Sequence, residues 1–388
     1  MKEECKLGTV PPQAAVSRAV GKVGDYSGFQ LPSTSSLKQM CRRSRRAAGG
    51  SIPEPVDLFQ LTLTPSVTNL DNGTQFLLYD SGPGSDRVIM FSTEQNMELL
   101  SRCSIFFSDG TFSTAPTNLF SQLYTVHGEI SAGGEKTVIP LVYAFLPNKL
   151  QRTYESMLEV IREKVALNPR TWIVDFEKGA INAIEKYFPH VTKGCYFHLQ
   201  QSVYRKVIEL GCKTNYENDG QFAHHIKCIS ALAFLPEDEV EEAFRMLTNH
   251  SDFPVEATQI AGYFHKTYIG LNQPGSNVGR PLFQIKFWNV NDRTRNNEHR
   301  TNNQVEGWHR RFQSVLSCGN PGFFTCVKAL KREQMNTINK VNRLQAGFPV
   351  KKKKTKYVAL NNRLKKIVDE REERTVMEFL RAIARNYT

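Results

Sequence analysis

Between residues 102 and 209 the spacing of apolar residues imposes an order of elements that few folds can accommodate. CSIFFSD, QLYTVHGEI and TVIPLVYAFL are short runs rich in β-branched and aromatic residues, and they read as three successive strands. TYESMLEVIREKVAL then sets Tyr154, Met157, Leu158 and Ile161 on one helical face. RTWIVDFE is a fourth strand, GAINAIEKYF a helix, KGCYFHL a fifth strand, and LQQSVYRKVIEL a further helix. Three strands followed by alternating helices and strands predict a mixed α/β sheet flanked by helices.

The flanks of this block read differently. A length of 388 residues suits two or three domains, or one domain with large insertions. Residues 1–55 are rich in Ser, Gly and Pro and read as a flexible basic arm and linker, with one short helix over Gln13–Val23. Its CRRSRR cluster (41–46) reads either as a nuclear-import signal or as a solvated run. Residues 56–98 form a strand-rich lead-in, with DLFQLTLT and DRVIMFST separated by DNG and SGPGSD turn signals. The core block occupies 99–205. Residues 206–295 are a helical insertion, in which Pro236 sits as a first-turn proline and a strand pattern recurs only at PLFQIKFWNV (281–290). Residues 296–345 return to the core with a helix carrying Glu306, and 346–388 form a basic helical tail.

Charge bears on partners. The formal net charge is +12, and residues 301–388 alone hold 19 Lys/Arg against 7 Asp/Glu, so the rest of the chain balances. That concentration points to a polyanion. Eight cysteines without a CxxC pair fit a reducing compartment rather than a disulfide scaffold. The N-terminus MKEECKLG has no apolar run of the signal-peptide kind, and no stretch approaches ~18 apolar residues, so neither a leader nor a membrane span is expected.

Three acids stand out by position. Asp109 ends the first strand, Asp175 ends the fourth, and Glu306 lies one turn into the later helix TNNQVEGWHRRF. If the first and fourth strands are parallel neighbours, both aspartates emerge at one edge, with Glu306 above them. Carboxylates converging from separate elements are what two hard divalent ions need for phosphodiester chemistry. Each acid also has a plain reading. Asp109–Gly110 is a turn signal, Asp175 can cap the next helix, and Glu306 can reach back to a cap at Asn303. Glu177, two residues beyond Asp175, is a substitute ligand if the strand persists.

The motifs DGTF (109–112), QLYTVHG (122–128), PLVYAFLPNK (140–149), DFEKGAINAI (175–184), FPHVTKGCYFHLQQSVYRK (188–206), ALAFLP (231–236) and RTNNQVEGWHRRF (300–312) occur in that order. Together they resemble the Mutator-like element (MULE) transposase domain, over about Leu99 to Ile338. The resemblance implies an RNase H-like, DDE-type fold with a helical insertion before the third acid. It implies a DNA transposase that cleaves phosphodiesters and transfers strands, with Asp109, Asp175 and Glu306 as catalytic residues holding two Mg²⁺ or Mn²⁺ ions. The expected partners are double-stranded DNA and further copies of the chain, and the expected location is the nucleus.

The family's Cys-x-x-His pattern falls on Cys195 and His198. These two cannot alone fill a structural zinc site, which takes four ligands, and zinc is not expected even with HHIKC (224–228) nearby in sequence. His198 is instead expected near the acids or as a satisfied interior histidine, with Cys195 packed in the core. His309 and Arg310 share the helix face of Glu306. Arg310, Arg311, Lys351, Lys352, Lys353 and Lys354 are candidates for DNA phosphate contacts, with Arg310 reading equally as a partner of Glu306 and the lysine run as an import signal or a solvated run. Many relatives carry an N-terminal zinc module, for which Cys5 and Cys41 are too few. This leaves open a domesticated nuclear DNA-binding or regulatory protein without catalysis, or a nuclease without the joining step.

Overall fold

Seven strands form one mixed sheet in the computed structural model, which describes residues 16–17, 20, 32–47, 54–270, 279–316, 321–349 and 355–386. The strands are β1 (Leu77–Asp80), β2 (Ile89–Phe91), β3 (Ile105–Thr111), β4 (Gln122–Ala132), β5 (Glu135–Leu146), β6 (Thr171–Val174) and β7 (Thr192–Gly194), in the spatial order β1-β2-β5-β4-β3-β6-β7. β1 to β5 pair antiparallel, whereas β3 pairs with β6, and β6 with β7, in parallel. The hairpin β4–β5 closes through Gly133 and Gly134 at φ 59° and 82°, the left-handed pair that a two-residue type I′ turn demands. Helices cover both faces, so β5 reads as a continuous apolar run from Val138 to Leu146, buried throughout. This mixed α/β architecture is compatible with an RNase H-like fold.

One face packs on α1 (Glu94–Ser101), α2 (Gln151–Lys164) and α3 (Lys178–Tyr187), where the expected stripe of Tyr154, Met157, Leu158 and Ile161 meets Phe106, Trp172 and Val174. After β7 the chain enters α4 (Tyr196–Glu209), then the helical insertion with α5 (Gly220–Ala231), α6 (Val240–Thr248) and α7 (Thr258–Phe264). It returns across the opposite face as α8 (Asn303–Leu316) and α9 (Phe323–Gln345). There Trp308, Phe312, Phe323 and Leu330 pack on Phe91, Tyr143 and Phe145.

The C-terminal helices α10 (Thr355–Asp369) and α11 (Val376–Ala384) belong to the insertion's core, not to a separate layer. Leu364, Val368, Phe379, Leu380 and Ile383 are buried in the same cluster as Phe222, Val240 and Leu247. Arg371 Nε and Nη2 both donate to Glu239 Oε2, at 2.9 and 2.5 Å, and Thr375 and Glu378 cap α11 reciprocally.

Several local expectations are corrected. DLFQLTLT is not a strand. The buried guanidinium of Arg87 donates to the carbonyls of Leu58 and Leu61 at 2.7 Å each, so this backbone pairs with a side chain instead of a neighbouring strand. KGCYFHL is strand only to Gly194, and its second half opens α4. PLFQIKFWNV forms a short helix, Ile285–Trp288, and Phe287 of that helix stacks on Phe283, which lies two residues before it begins. A helix, Thr34–Ala47, runs through the basic cluster that reads as linker, with Leu37 and Cys41 buried at an i,i+4 spacing. The helix expected over Gln13–Val23 lies almost wholly outside the described residues, and Lys351, Lys352, Lys353 and Lys354 lie wholly outside them.

Candidate active site

Strand alternation places the two aspartates. On β3, Ile105 and Phe107 face Val305 of α8, and on β6 Ile173 joins the same small cluster. Side chains two apart on a strand share a face. Asp109 and Asp175 each lie two residues beyond the paired Phe107 and Ile173 on parallel neighbours, so they emerge level, beneath α8. The expected arrangement of the first and fourth strands is therefore present.

Asp109–Gly110 is not a turn. Both residues lie inside β3, paired with Thr125 and Tyr124 of β4, and Asp109 Oδ1 accepts from the Gly110 N–H at 2.8 Å. A Cβ at Gly110 would stand 2.0 Å from Gln122 Oε1, so a larger residue would have to displace that side-chain amide. Across the strand pair, His309 of α8 reaches Asp109, with Nδ1 3.7 Å from Oδ2. Its Nε2 meets Thr125 Oγ1 at 3.2 Å, and Thr125 Oγ1 meets His127 Nε2 at 3.0 Å. Burial holds the His309 imidazole down to about 4, so it is neutral at pH 7 and orients the carboxylate by dipole and contact.

Asp175 follows the last residue of β6, and its Oδ1 accepts from the Glu177 N–H at 3.2 Å. The strand does not persist to Glu177, which removes the alternation that made it a substitute ligand. Glu177 instead accepts from Lys149 Nζ at 2.7 Å and from the Tyr154 hydroxyl.

Glu306 starts no capping box. Asn302 immediately precedes α8, and the Glu306 N–H makes a helical bond to its carbonyl at 3.2 Å, one position further in than a box requires. The carboxylate is left for other partners. Oε2 meets Arg310 Nη2 at 3.2 Å, while buried Oε1 lies 3.4 Å from His198 Nε2 without a hydrogen-bond partner among the described residues. Cys195 stands immediately before α4, placing His198 in its first turn. The Cys195 thiol exchanges contacts with Asn302, at 3.0 Å to Oδ1 and 3.3 Å from the backbone N–H. HHIKC lies on α5 and takes no part in this cluster.

The electrostatics follow from burial and like charge. Asp109 is held well above the ordinary carboxylate range, first by desolvation, then by repulsion from Asp175 and Glu306, with the Gly110 N–H opposing. Asp175 is raised to about 6 by desolvation and by Glu177, against Lys149 and Arg205. Groups that resist ionisation because their neighbours are anionic form a site short of positive charge. Sequence reading missed Lys149 and Arg205. Arg205 was legible, because it stands seven residues after His198, two turns along the same face of α4.

Arg310 and Arg311 diverge. The Arg310 side chain is largely exposed beside Glu306. Arg311 lines a separate cleft of about 910 Å³ with Lys136, Lys340 and Arg343, and pairs with Glu333 at 2.9 Å.

Residues 105–202 match the family model of the MULE transposase domain. No curated protein and no solved structure matches the chain. The MULE match contains Asp109, Asp175, Cys195 and His198, and ends a hundred residues before α8, so Glu306 reaches this site from outside the matched segment. A MULE transposase domain implies a transposase-related function and DNA as a partner. Among the described residues no helix is long and apolar enough to cross a membrane.

Proposed function

We propose that the chain is a Mutator-like DNA transposase in which Asp109, Asp175 and Glu306 hold two Mg²⁺ or Mn²⁺ ions for phosphodiester hydrolysis and strand transfer. The observation that carries this reading is the level placement of Asp109 and Asp175 on adjacent parallel strands, electrostatically coupled to Glu306 on the helix above. A buried group of carboxylates whose mutual repulsion resists ionisation fits hard divalent cations. When bound, such ions neutralise the scissile phosphate and lower the pKa of the attacking water.

The chain's own residues supply the rest. His309, held by Thr125, orients Asp109. Lys149 and Arg205 lower the cost of ionising Asp175. Arg310 keeps Glu306 turned inward and presents its exposed guanidinium to a DNA phosphate. Water attacks phosphorus at the element end, the 3′ oxygen leaves as a hydroxyl, and that hydroxyl then attacks target DNA. Homo-oligomerisation on DNA and action in the nucleus complete the reading.

The test uses purified protein, labelled duplexes carrying the terminal repeats that flank the coding region, and Mg²⁺ or Mn²⁺. Strand cleavage is expected, and Asp109→Asn, Asp175→Asn and Glu306→Gln should each abolish it while DNA binding survives. Normal cutting by Glu306→Gln sinks the three-acid assignment. Binding without any cutting by the unmodified chain identifies a domesticated, non-catalytic protein instead.

A further inference from the structure

Cys195, His198 and Glu306 are, among the described residues, the one set of three or more His, Cys, Asp or Glu side chains whose ligand atoms all lie within 4.8 Å of one another. We propose that they bind one thiophilic divalent ion, zinc, at a site that shares only Glu306 with the carboxylate-held ions of the cleavage reading.

Three features of the geometry point to an ion and not to a packed polar cluster. His198 Nε2 and Glu306 Oε1 stand 3.4 Å apart. Two ligands at about 2.0–2.1 Å on a tetrahedral ion are separated by roughly 3.3–3.4 Å, so the pair already has the spacing of neighbouring ligands. The second feature is an unsatisfied carboxylate oxygen, since Arg310 meets only Oε2 of Glu306. Glu306 Oε1 is buried without a hydrogen bond, a costly state that a cation between it and His198 Nε2 relieves.

The sulfur is the third feature. Cys195 Sγ lies within 4.8 Å of the ligand atoms of both His198 and Glu306. The Asn302 backbone N–H points at this sulfur from 3.3 Å. The Asn302 side chain adds to this. Its Oδ1 lies 3.0 Å from Sγ while its Nδ2 has no partner. Rotating the amide by half a turn exchanges the two atoms. Nδ2 then donates to a thiolate, as expected beside a metal-bound sulfur, where deprotonation is complete.

The three ligands come from two elements, the start of α4 and the first turns of α8. An ion here ties those helices together and fixes Glu306. The binding site stands independently of the cleavage reading, and only its consequence for Glu306 rests on it. The expectation that zinc is absent counted Cys195 and His198 with HHIKC, and sequence spacing gave no reason to add a glutamate a hundred residues away. A fourth position is left for water or for a ligand from substrate.

The test titrates Co²⁺ into the full-length chain after chelator treatment. One equivalent is expected to give tetrahedral visible bands and a near-ultraviolet thiolate-to-cobalt band, both bleached by one equivalent of Zn²⁺. Cys195→Ser should remove the thiolate band, and His198→Ala should abolish stoichiometric binding. Asn302→Ala should weaken affinity by roughly 10–100-fold, as removal of a supporting hydrogen bond does. Asp109→Asn should leave the cobalt spectrum intact while abolishing cleavage, which separates this site from the catalytic proposal. X-ray absorption at the zinc edge of the unmodified chain needs no variant and should show one sulfur at about 2.3 Å. A shell of nitrogen and oxygen alone, or a thiolate band that persists in folded Cys195→Ser, overturns the proposal.

Discussion

At the scale of single residues, each of the three acids offered two readings, and the structure separates them by what their atoms touch. Glu306 does not cap its helix, Asp109–Gly110 does not turn, and Asp175 accepts one N–H yet remains coupled to its anionic neighbours. The two aspartates were legible because apolar alternation marks their strands, although β3 runs two residues past Asp109 to Thr111. The closeness of Gly110 to the Gln122 side chain was not, since it depends on Gln122 arriving across the sheet. A pH prediction belongs here. Asp175 titrates near 3.8 unfolded and near 6 folded, so the folded state binds more protons between those values. Stability then falls as pH rises through that window, by on the order of 3 kcal/mol from this group. Without divalent ions, Asp175→Asn should therefore raise the urea midpoint at pH 7 and leave it nearly unchanged at pH 4. Equal effects at both values count against a raised Asp175.

At the scale of elements, α8 serves three surroundings at once. Glu306, His309 and Arg310 face the acids, Trp308 and Phe312 stack at 4.9 Å in the core, and Arg311 lines the basic cleft. The sequence showed the helix and its acid face, because spacing of three and four residues is visible locally. It did not show where KGCYFHL stops being strand, since a short apolar run fits strand and helix equally. β7 ends at Gly194, where a Cβ would stand 2.9 Å from Phe287 of the insertion, a proximity no local pattern carries. The position of Glu306 should depend on the core face of α8. Trp308→Ala is expected to cost about 3–5 kcal/mol in urea unfolding and to lower cleavage further than the loss of folded protein explains. A loss below about 1 kcal/mol would mean that Trp308 does not anchor the helix.

At the scale of the whole molecule, the basic excess has a narrower address than composition suggested. Residues 301–354 hold eleven Lys/Arg against two acids, while 355–386 hold eight against five. In α10 and the turn after it, Lys365 pairs with Asp369, and Lys366 and Arg374 with Glu370, while Arg371 reaches Glu239. Those cations serve the fold of the insertion. On α8 Arg310 and Arg311 are matched by Glu306 and Glu333, whereas Lys340 and Arg343 of α9 make no ion pair among the described residues, and they join Lys136 and Arg311 around the cleft. Burial and repulsion from Arg311 both lower the Lys340 ammonium, so an anion in the cleft is favoured. If DNA phosphates lie there, removing one cation that neutralises a phosphate should reduce the slope of log affinity against log salt by about 0.9. Lys340→Ala with Arg343→Ala is expected to weaken duplex binding and flatten that slope in fluorescence anisotropy across a KCl series. Lys365→Ala with Lys366→Ala should leave the slope alone, because their charges are already matched within the chain. The reverse pattern would place the DNA path over the C-terminal helices instead of the α8–α9 cleft.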